Sequence, residues 1–224
     1  MLTAHGLCWL CQMPLAIASW GFCSRCSASL PTRQPRCPRC GLPAGTASVP
    51  CGRCIQDPPP WQRLVAVSDY LPPLSGLIHQ LKFTRRPELA PALARLLLLR
   101  IRQSAGLPPA DRIVGVPLWQ RRQWRRGFNQ SDLLCRPLAR WTHAAWRSDA
   151  LRRSRPTATQ HQLTARLRKR NLKNAFQLEL SVRGHHIAIV DDVVTTGSTV
   201  AEISRLLLRN GAATVQVWCM CRTL

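Results

Sequence analysis

Acidic residues are scarce in this chain: ten Asp and Glu face 32 Lys and Arg, leaving a formal charge of +22 over 224 residues. So many cations with so few acidic neighbours repel one another unless an anion neutralises them. A polyanionic partner, nucleic acid or a phosphorylated metabolite, is therefore expected. The imbalance is concentrated in residues 111–175, which hold 16 Lys or Arg and 3 Asp or Glu, or +13 of the total. Long apolar runs are also missing. The longest, around Leu96-Leu97-Leu98-Leu99, is interrupted by Arg95, Arg100 and Arg102, well short of the roughly 20 residues that a bilayer-spanning helix needs. The opening Met1-Leu2-Thr3-Ala4-His5 does not resemble a basic leader followed by an apolar segment. The expectation is a soluble, cytoplasmic protein without membrane insertion.

A chain of this length buries one sizeable core and has room for one small satellite. Cysteine marks the satellite. Eight of the eleven cysteines form four Cys-x-x-Cys pairs: Cys8 and Cys11, Cys23 and Cys26, Cys37 and Cys40, Cys51 and Cys54. Two residues between thiolates let one tight turn aim both sulfurs at a single ion, and two turns complete a closed tetrahedral site. Two structural zinc ions are predicted. A disulfide framework suits this vicinal spacing and a reducing compartment less well. Neighbouring pairs would share an ion, with Cys8, Cys11, Cys23 and Cys26 in one ribbon and Cys37, Cys40, Cys51 and Cys54 in the next. The similar spacers also leave an interleaved pairing open. Asp57-Pro58-Pro59-Pro60 cannot continue a helix or a central strand and closes the module, dividing the chain into residues 1–57 and 61–224. Cys135, Cys219 and Cys221 sit in apolar surroundings without metal spacing and read as core thiols.

From Leu64 onward, short strands alternate with helices, predicting an α/β domain with a mainly parallel sheet flanked by helices. Strands are expected at Leu64-Val65-Ala66-Val67 and Arg112-Ile113-Val114-Gly115-Val116, and helices from Leu74 to Phe83, Glu88 to Arg102 and Ser131 to Trp141. His186-Ile187-Ala188-Ile189-Val190 reads as a strand covered on both faces that stops at two aspartates. A helix with Val200, Ile203, Leu206, Leu207 and Leu208 on its apolar face follows, then a stop at Asn210-Gly211 and a strand from Ala213 to Cys221.

The chemistry lies between that strand and that helix. Thr195, Thr196, Gly197, Ser198 and Thr199 offer hydroxyls and backbone amides at a helix start, where unpaired N–H groups and the helix dipole favour an anion. No Walker-type Lys follows, so a monophosphate fits better than a nucleoside triphosphate. Two carboxylates, Asp191 and Asp192, stand directly before this cradle and suit a ribose diol assisted by magnesium. Simple capping of a helix would need neither the acidic pair nor so many small polar residues.

The segment from Val190 to Thr199 is similar to the phosphoribosyl pyrophosphate (PRPP) motif of type I phosphoribosyltransferases. That resemblance implies that Asp191 and Asp192 hold ribose hydroxyls and that Thr195, Thr196, Gly197, Ser198 and Thr199 hold the 5′-phosphate. The cysteine module joined to Leu81-Lys82-Phe83, Val116-Pro117-Leu118, Arg126-Gly127-Phe128-Asn129-Gln130, Thr159-Gln160 and Asn174-Ala175-Phe176 resembles the ComF/GntX family over nearly the whole chain. This implies a role in handling imported DNA, in natural transformation or in using extracellular DNA as a nutrient.

In phosphoribosyltransferases a loop after an early strand receives pyrophosphate. Val116-Pro117-Leu118, followed by Arg121 and Arg122, stands in that place. The acidic-and-glycine pattern of typical type I enzymes is missing there, which leaves binding without transfer open. Trp119, Trp124 and Phe128 interleave with Arg121, Arg122, Arg125 and Arg126, a composition suited to stacking bases and neutralising the phosphates of single-stranded DNA; partial burial in the core is the plainer alternative. A second cluster, Arg166, Arg168, Lys169, Arg170 and Lys173, is predicted on a helix. His79 and His161 have no identifiable partner, and no catalytic base is assigned. Three functions compete: a DNA-handling protein with a PRPP-type site and a single-strand-binding basic face; a magnesium-dependent phosphoribosyltransferase that releases pyrophosphate; and a regulatory protein whose zinc ribbons dock a helicase or DNA-uptake partner.

Overall fold

The computed structural model describes residues 6–30, 34–104, 106, 108–154, 172 and 174–223. Five parallel strands form the main sheet: β1 (Arg63–Asp69), β2 (Arg112–Gly115), β3 (Ala145–Trp146), β6 (His186–Val194) and β7 (Thr214–Arg222). Their order is β1-β7-β6-β2-β3, with every neighbouring pair parallel. Two further short strands, β4 (Leu151–Arg153) and β5 (Phe176–Leu178), pair antiparallel.

The apolar runs read from the sequence are strands covered on both faces, and their side chains divide between two cores with the strand period of two. Ala188 and Val190 of β6 join Trp218 and Met220 of β7 and Val65 and Val67 of β1 in one core. Ile187 and Ile189, with Val215, Val217, Leu64 and Ala66, enter the other. The first core is covered by α3 (Leu74–Phe83), α4 (Leu89–Arg102) and α6 (Gln130–Thr142), the second by α7 (Ser198–Arg209). Cys135, Cys219 and Cys221 are buried, as the apolar surroundings predicted.

Elements in the domain follow the sequence reading closely, with corrections at their ends. The strand expected to stop at the two aspartates continues through both of them to Val194, because Asp191 and Val193 keep their register with Cys219 and Cys221 of β7. The basic stretch after β2, for which no element was predicted, forms α5 (Gln120–Arg126), ended by Gly127 at φ 84°. The region carrying His161, Arg166, Arg168, Lys169, Arg170 and Lys173 lies outside the described residues.

The cysteine-rich segment has little regular structure beyond α1 (Ser24–Ala28) and α2 (Gly52–Gln56). It does not stand apart from the sheet. Cys8, Phe22 and Leu30 are buried in the same core as α3 and α4. The amide of Leu64 at the edge of β1 donates to the Pro38 carbonyl at 3.0 Å, giving that edge strand a partner from the cysteine segment.

Candidate functional site

All the parallel strands run the same way, so β6 and β2 deliver their last residues to one edge of the sheet, where open α/β sheets bind ligands. Asp191 and Asp192 sit at this edge of β6. The next residues leave the strand, turn at Gly197 and enter α7. Gly197 has φ 78°, a left-handed conformation that favours glycine. A Cβ at that position would also come within 3.2 Å of the Trp61 ring. Gly197 at the N-cap has no side chain to cap α7, and the first amide, that of Ser198, makes only a long 3.4 Å bond to the Thr196 hydroxyl oxygen, so the start of the helix is left rich in donors. Thr196 and Ser198 hydroxyls lie 2.9 Å apart. Asp191 and residues 193–200 line a cavity of about 30 Å³, room for one small group. The structure thus brings Asp191, Thr195, Thr196, Gly197, Ser198 and Thr199 together around one cavity, with Asp192 beside Asp191 on β6 but buried and turned to Lys82. Such an arrangement can accept hydroxyl hydrogen bonds at one end and donate to a tetrahedral anion at the other.

The acidic pair is embedded in a polar network that sequence reasoning assigned no role. Lys82, on α3, places its Nζ 2.7 Å from Asp192 Oδ2. Asp192 is only 3% exposed, so this pair is largely removed from water. Ser131 on α6 donates to Asp191 Oδ1 at 3.4 Å. Removal from water pushes the Asp191 carboxyl well above the usual carboxylate range; the neighbouring Asp192 charge adds to this and Lys82 opposes it. Asp132, one helical step from Ser131, is pushed up to about 6 by burial, with a hydrogen bond from Asn129 acting the other way. Lys82 was visible in Leu81-Lys82-Phe83, but only as part of a resemblance. A cation beside the buried face of an amphipathic helix was its only local signal.

Asn129 explains how the loop after β2 is held beside the acidic pair. Its side-chain oxygen accepts from the Ser131 amide at 3.2 Å, capping α6, while its Nδ2 donates to the Val116 carbonyl at 3.1 Å. Val116 itself donates to the Val190 carbonyl at 3.0 Å. Gly115 is required just before this loop, because a Cβ there would come within 2.7 Å of Asp132 Oδ1. The loop feeds α5, which carries Arg121, Arg122, Arg125 and Arg126. Arg121 and Arg125 are exposed, and Arg126 donates to the Gln130 side chain and lies over the Phe83 ring at 5.5 Å. Trp124 is 87% exposed, whereas Trp119 and Phe128 are half-buried. His79 is exposed with its ring against Phe83.

The cysteines assemble into two separate groups, Cys8, Cys11, Cys23 and Cys26, and Cys37, Cys40, Cys51 and Cys54, each with all sulfurs within 4.8 Å of one another. The pairing left open by the spacing is thus neighbouring and not interleaved. Sulfurs of Cys11 and Cys23 are 3.8 Å apart, as are those of Cys40 and Cys51. A tetrahedron with metal–sulfur bonds of about 2.3 Å has edges of about 3.8 Å, so both groups fit a four-thiolate metal ion. Backbone amides support the charged thiolates: Cys23 donates to Cys8 Sγ at 3.4 Å and Cys51 to Cys37 Sγ at 3.2 Å.

Comparison with known proteins agrees with this architecture. Residues 147–223 match the phosphoribosyl transferase domain family. The chain is 71% identical over 227 residues to DNA utilization protein YhgH of Salmonella typhi, covering 100% of both chains. It is 40% identical over 221 residues to competence protein F of Haemophilus influenzae, covering 96% of each. Among solved structures, the allosteric regulatory enzyme of purine biosynthesis is similar with a TM-score of 0.38 and 24% identity, over 57% of this chain and 24% of that chain. Full-length identity to a competence protein and a DNA utilization protein, on a chain with a phosphoribosyltransferase-type domain and two four-cysteine groups, places this protein in the ComF family.

Proposed function

We propose that this protein binds PRPP, or another ligand carrying ribose 5-phosphate, at the end of β6 and handles imported single-stranded DNA with its basic face. One observation carries the reading: the Asp191 and Asp192 pair and the amide-rich turn of residues 195–199 share the carboxyl edge of a parallel sheet. Asp191 and Asp192 accept ribose hydroxyls, with magnesium balancing their charge when the ligand is bound. Thr195, Thr196, Gly197, Ser198 and Thr199 hold the 5′-phosphate through hydroxyls, amides and the α7 dipole. Arg121, Arg122, Arg125 and Arg126 supply positive charge for pyrophosphate or for a DNA backbone. Residues 1–57 form a double zinc-ribbon module on a phosphoribosyltransferase-like domain of residues 61–224. The names of the relatives, a competence protein and a DNA utilization protein, support the DNA role.

A second reading, transfer of the phosphoribosyl group with release of pyrophosphate, is favoured by a cleft of about 490 Å³. It lies between the loop after β2 and the β4 and β5 pair, lined by Trp119, Asn129, Asp132, Arg152 and Gln177 among others. An acceptor has space there. The deciding experiment measures PRPP binding by calorimetry and pyrophosphate release with magnesium, across nucleobases and single-stranded DNA. The wild type is compared with Asp191→Asn/Asp192→Asn. Binding without release, lost in the double variant, is the expected result. Release lost in the double variant makes the protein a transferase, and absence of binding by the wild type overturns both readings.

A further inference from the structure

The second cysteine group and the phosphate-type turn share a wall. Cys40, Arg53 and Cys54 face Thr196, Gly197 and Ser198 across a cleft of about 150 Å³. Two side chains bridge the two parts. Arg222, the last residue of β7, donates from Nε to the Cys40 carbonyl at 3.0 Å. Its Nη1 donates to the carbonyls of Val194 at 3.0 Å and of Thr195. Trp61 donates from its indole Nε1 to the Arg39 carbonyl at 2.6 Å, while its ring lies against Gly197. Both bridges thus start from one turn, Cys37-Pro38-Arg39-Cys40, whose shape is set by bringing two thiolates to one point.

The other ends of the bridges reach the backbone that forms the cradle. A peptide unit is planar. Fixing the carbonyls of Val194 and Thr195 therefore also fixes the directions of the amides of Thr195 and Thr196. Arg222 is only 5% exposed, and its bonds to Cys40, Val194 and Thr195 all end on backbone carbonyls, so it holds a shape and does not offer charge to a ligand. The first cysteine group is connected elsewhere. It packs on α4, where Gly21 approaches Ala92 and Arg95 lies 4.0 Å from the Trp20 ring. Among the described residues, none of its four cysteines shares a hydrogen bond or a cavity with residues 195–199.

We propose that Arg222 and Trp61 are positioning residues through which the second four-cysteine group sets the geometry of the phosphate turn. The grip on ribose 5-phosphate then depends on metal held by Cys37, Cys40, Cys51 and Cys54, and not on metal held by Cys8, Cys11, Cys23 and Cys26. This rests on the reading of residues 195–199 as a phosphate site. Without metal the turn from Cys37 to Cys40 relaxes, both anchors shift, and the amides of the cradle lose their fixed direction.

The test titrates ribose 5-phosphate, and PRPP with magnesium, into full-length wild type and the variants Cys51→Ser, Cys11→Ser, Trp61→Phe and Arg222→Lys. Zinc content and amide hydrogen exchange at residues 195–199 are measured alongside. Cys51→Ser, Trp61→Phe and Arg222→Lys are each expected to weaken binding roughly 3- to 10-fold, the loss of one or two net hydrogen bonds, with faster exchange in the turn. Cys11→Ser is expected to lose as much zinc as Cys51→Ser and keep wild-type affinity and exchange. The coupling is overturned if Cys11→Ser and Cys51→Ser weaken binding equally, or if Trp61→Phe and Arg222→Lys match the wild type. Should Cys51→Ser fail to fold, Arg222→Lys and Trp61→Phe decide together: the first keeps the charge and removes the fork of donors to Cys40, Val194 and Thr195, and the second removes the N–H to Arg39 and the far edge of the ring that meets Gly197. If the wild type binds neither ligand, the phosphate reading fails, while exchange at residues 195–199 in Trp61→Phe still tests the coupling.

Discussion

Three carboxyl groups meet Lys82, Ser131 and Asn129 at the candidate site, and the protonation of two of them, Asp132 and Asp191, links stability to pH. Asp132 titrates near 6 in the fold because burial penalises its charged form, whereas an unfolded aspartate titrates near 3.9. Between those values the folded chain keeps a proton that the unfolded chain has lost. The stabilisation is therefore complete below about pH 4 and lost as pH rises through about 6, a change of about 3 kcal/mol for this group alone. Asp191, also raised, acts in the same direction. Asp132→Asn is expected to remove the Asp132 part of this slope. Its melting temperature would match the wild type near pH 4 and exceed it at pH 7, as thermal melts across that range would reveal. An unchanged slope would place the proton elsewhere. Lys82 belongs to the same network: its charge offsets part of the repulsion between Asp191 and Asp192, which burial would otherwise magnify.

At the scale of elements, the unit of β6, turn and α7 depends on one backbone position. Gly197 combines φ 78° with close contact to Trp61. Gly197→Ala is expected to cost about 1–2 kcal/mol in urea unfolding, from left-handed strain of roughly 1 kcal/mol plus displacement of the indole. It should weaken ribose 5-phosphate binding as well. A variant with wild-type stability and affinity would show that the turn tolerates another shape. Element boundaries were legible where a pattern was long: the helix expected from Leu74 to Phe83 is observed with those ends. They were missed where a local rule lost to pairing. Two consecutive aspartates read as the end of a strand, yet hydrogen bonding to β7 carries β6 past them. The alternation of Arg with Trp concealed α5, whose seven residues are too few for an apolar face to show.

For the whole molecule, +22 charges surround a site whose acidic residues are buried or paired, so the outer surface is left strongly positive. The proposed binding of single-stranded DNA through that surface would release counterions, with log K falling by about 0.7 per phosphate contact for each unit of log salt. Anisotropy of a labelled oligothymidine is expected to show a steep salt slope, shallower by about 1.4 in Arg121→Ala/Arg125→Ala, both residues being exposed on α5. An unchanged slope would move the DNA contact away from this helix. The cysteine segment is part of this whole: it adds Phe22 and Leu30 to the main core and pairs the edge of β1 through Pro38.

Local information was enough to read the parallel α/β class, an acidic pair beside a glycine turn, and the four vicinal cysteine pairs with metal spacing. In each case the physical signal is carried by residues within a few positions of one another: apolar runs, carboxylates beside a glycine turn, two residues between thiolates. Only the tertiary structure decided which cysteine pairs share a centre, that Lys82 and Ser131 reach the aspartates, and that Trp61 and Arg222 tie Arg39 and Cys40 to the turn. Those contacts join residues up to 182 positions apart. Their energy comes from burial and hydrogen bonding created by the packed sheet, so no neighbouring residues in the chain record them.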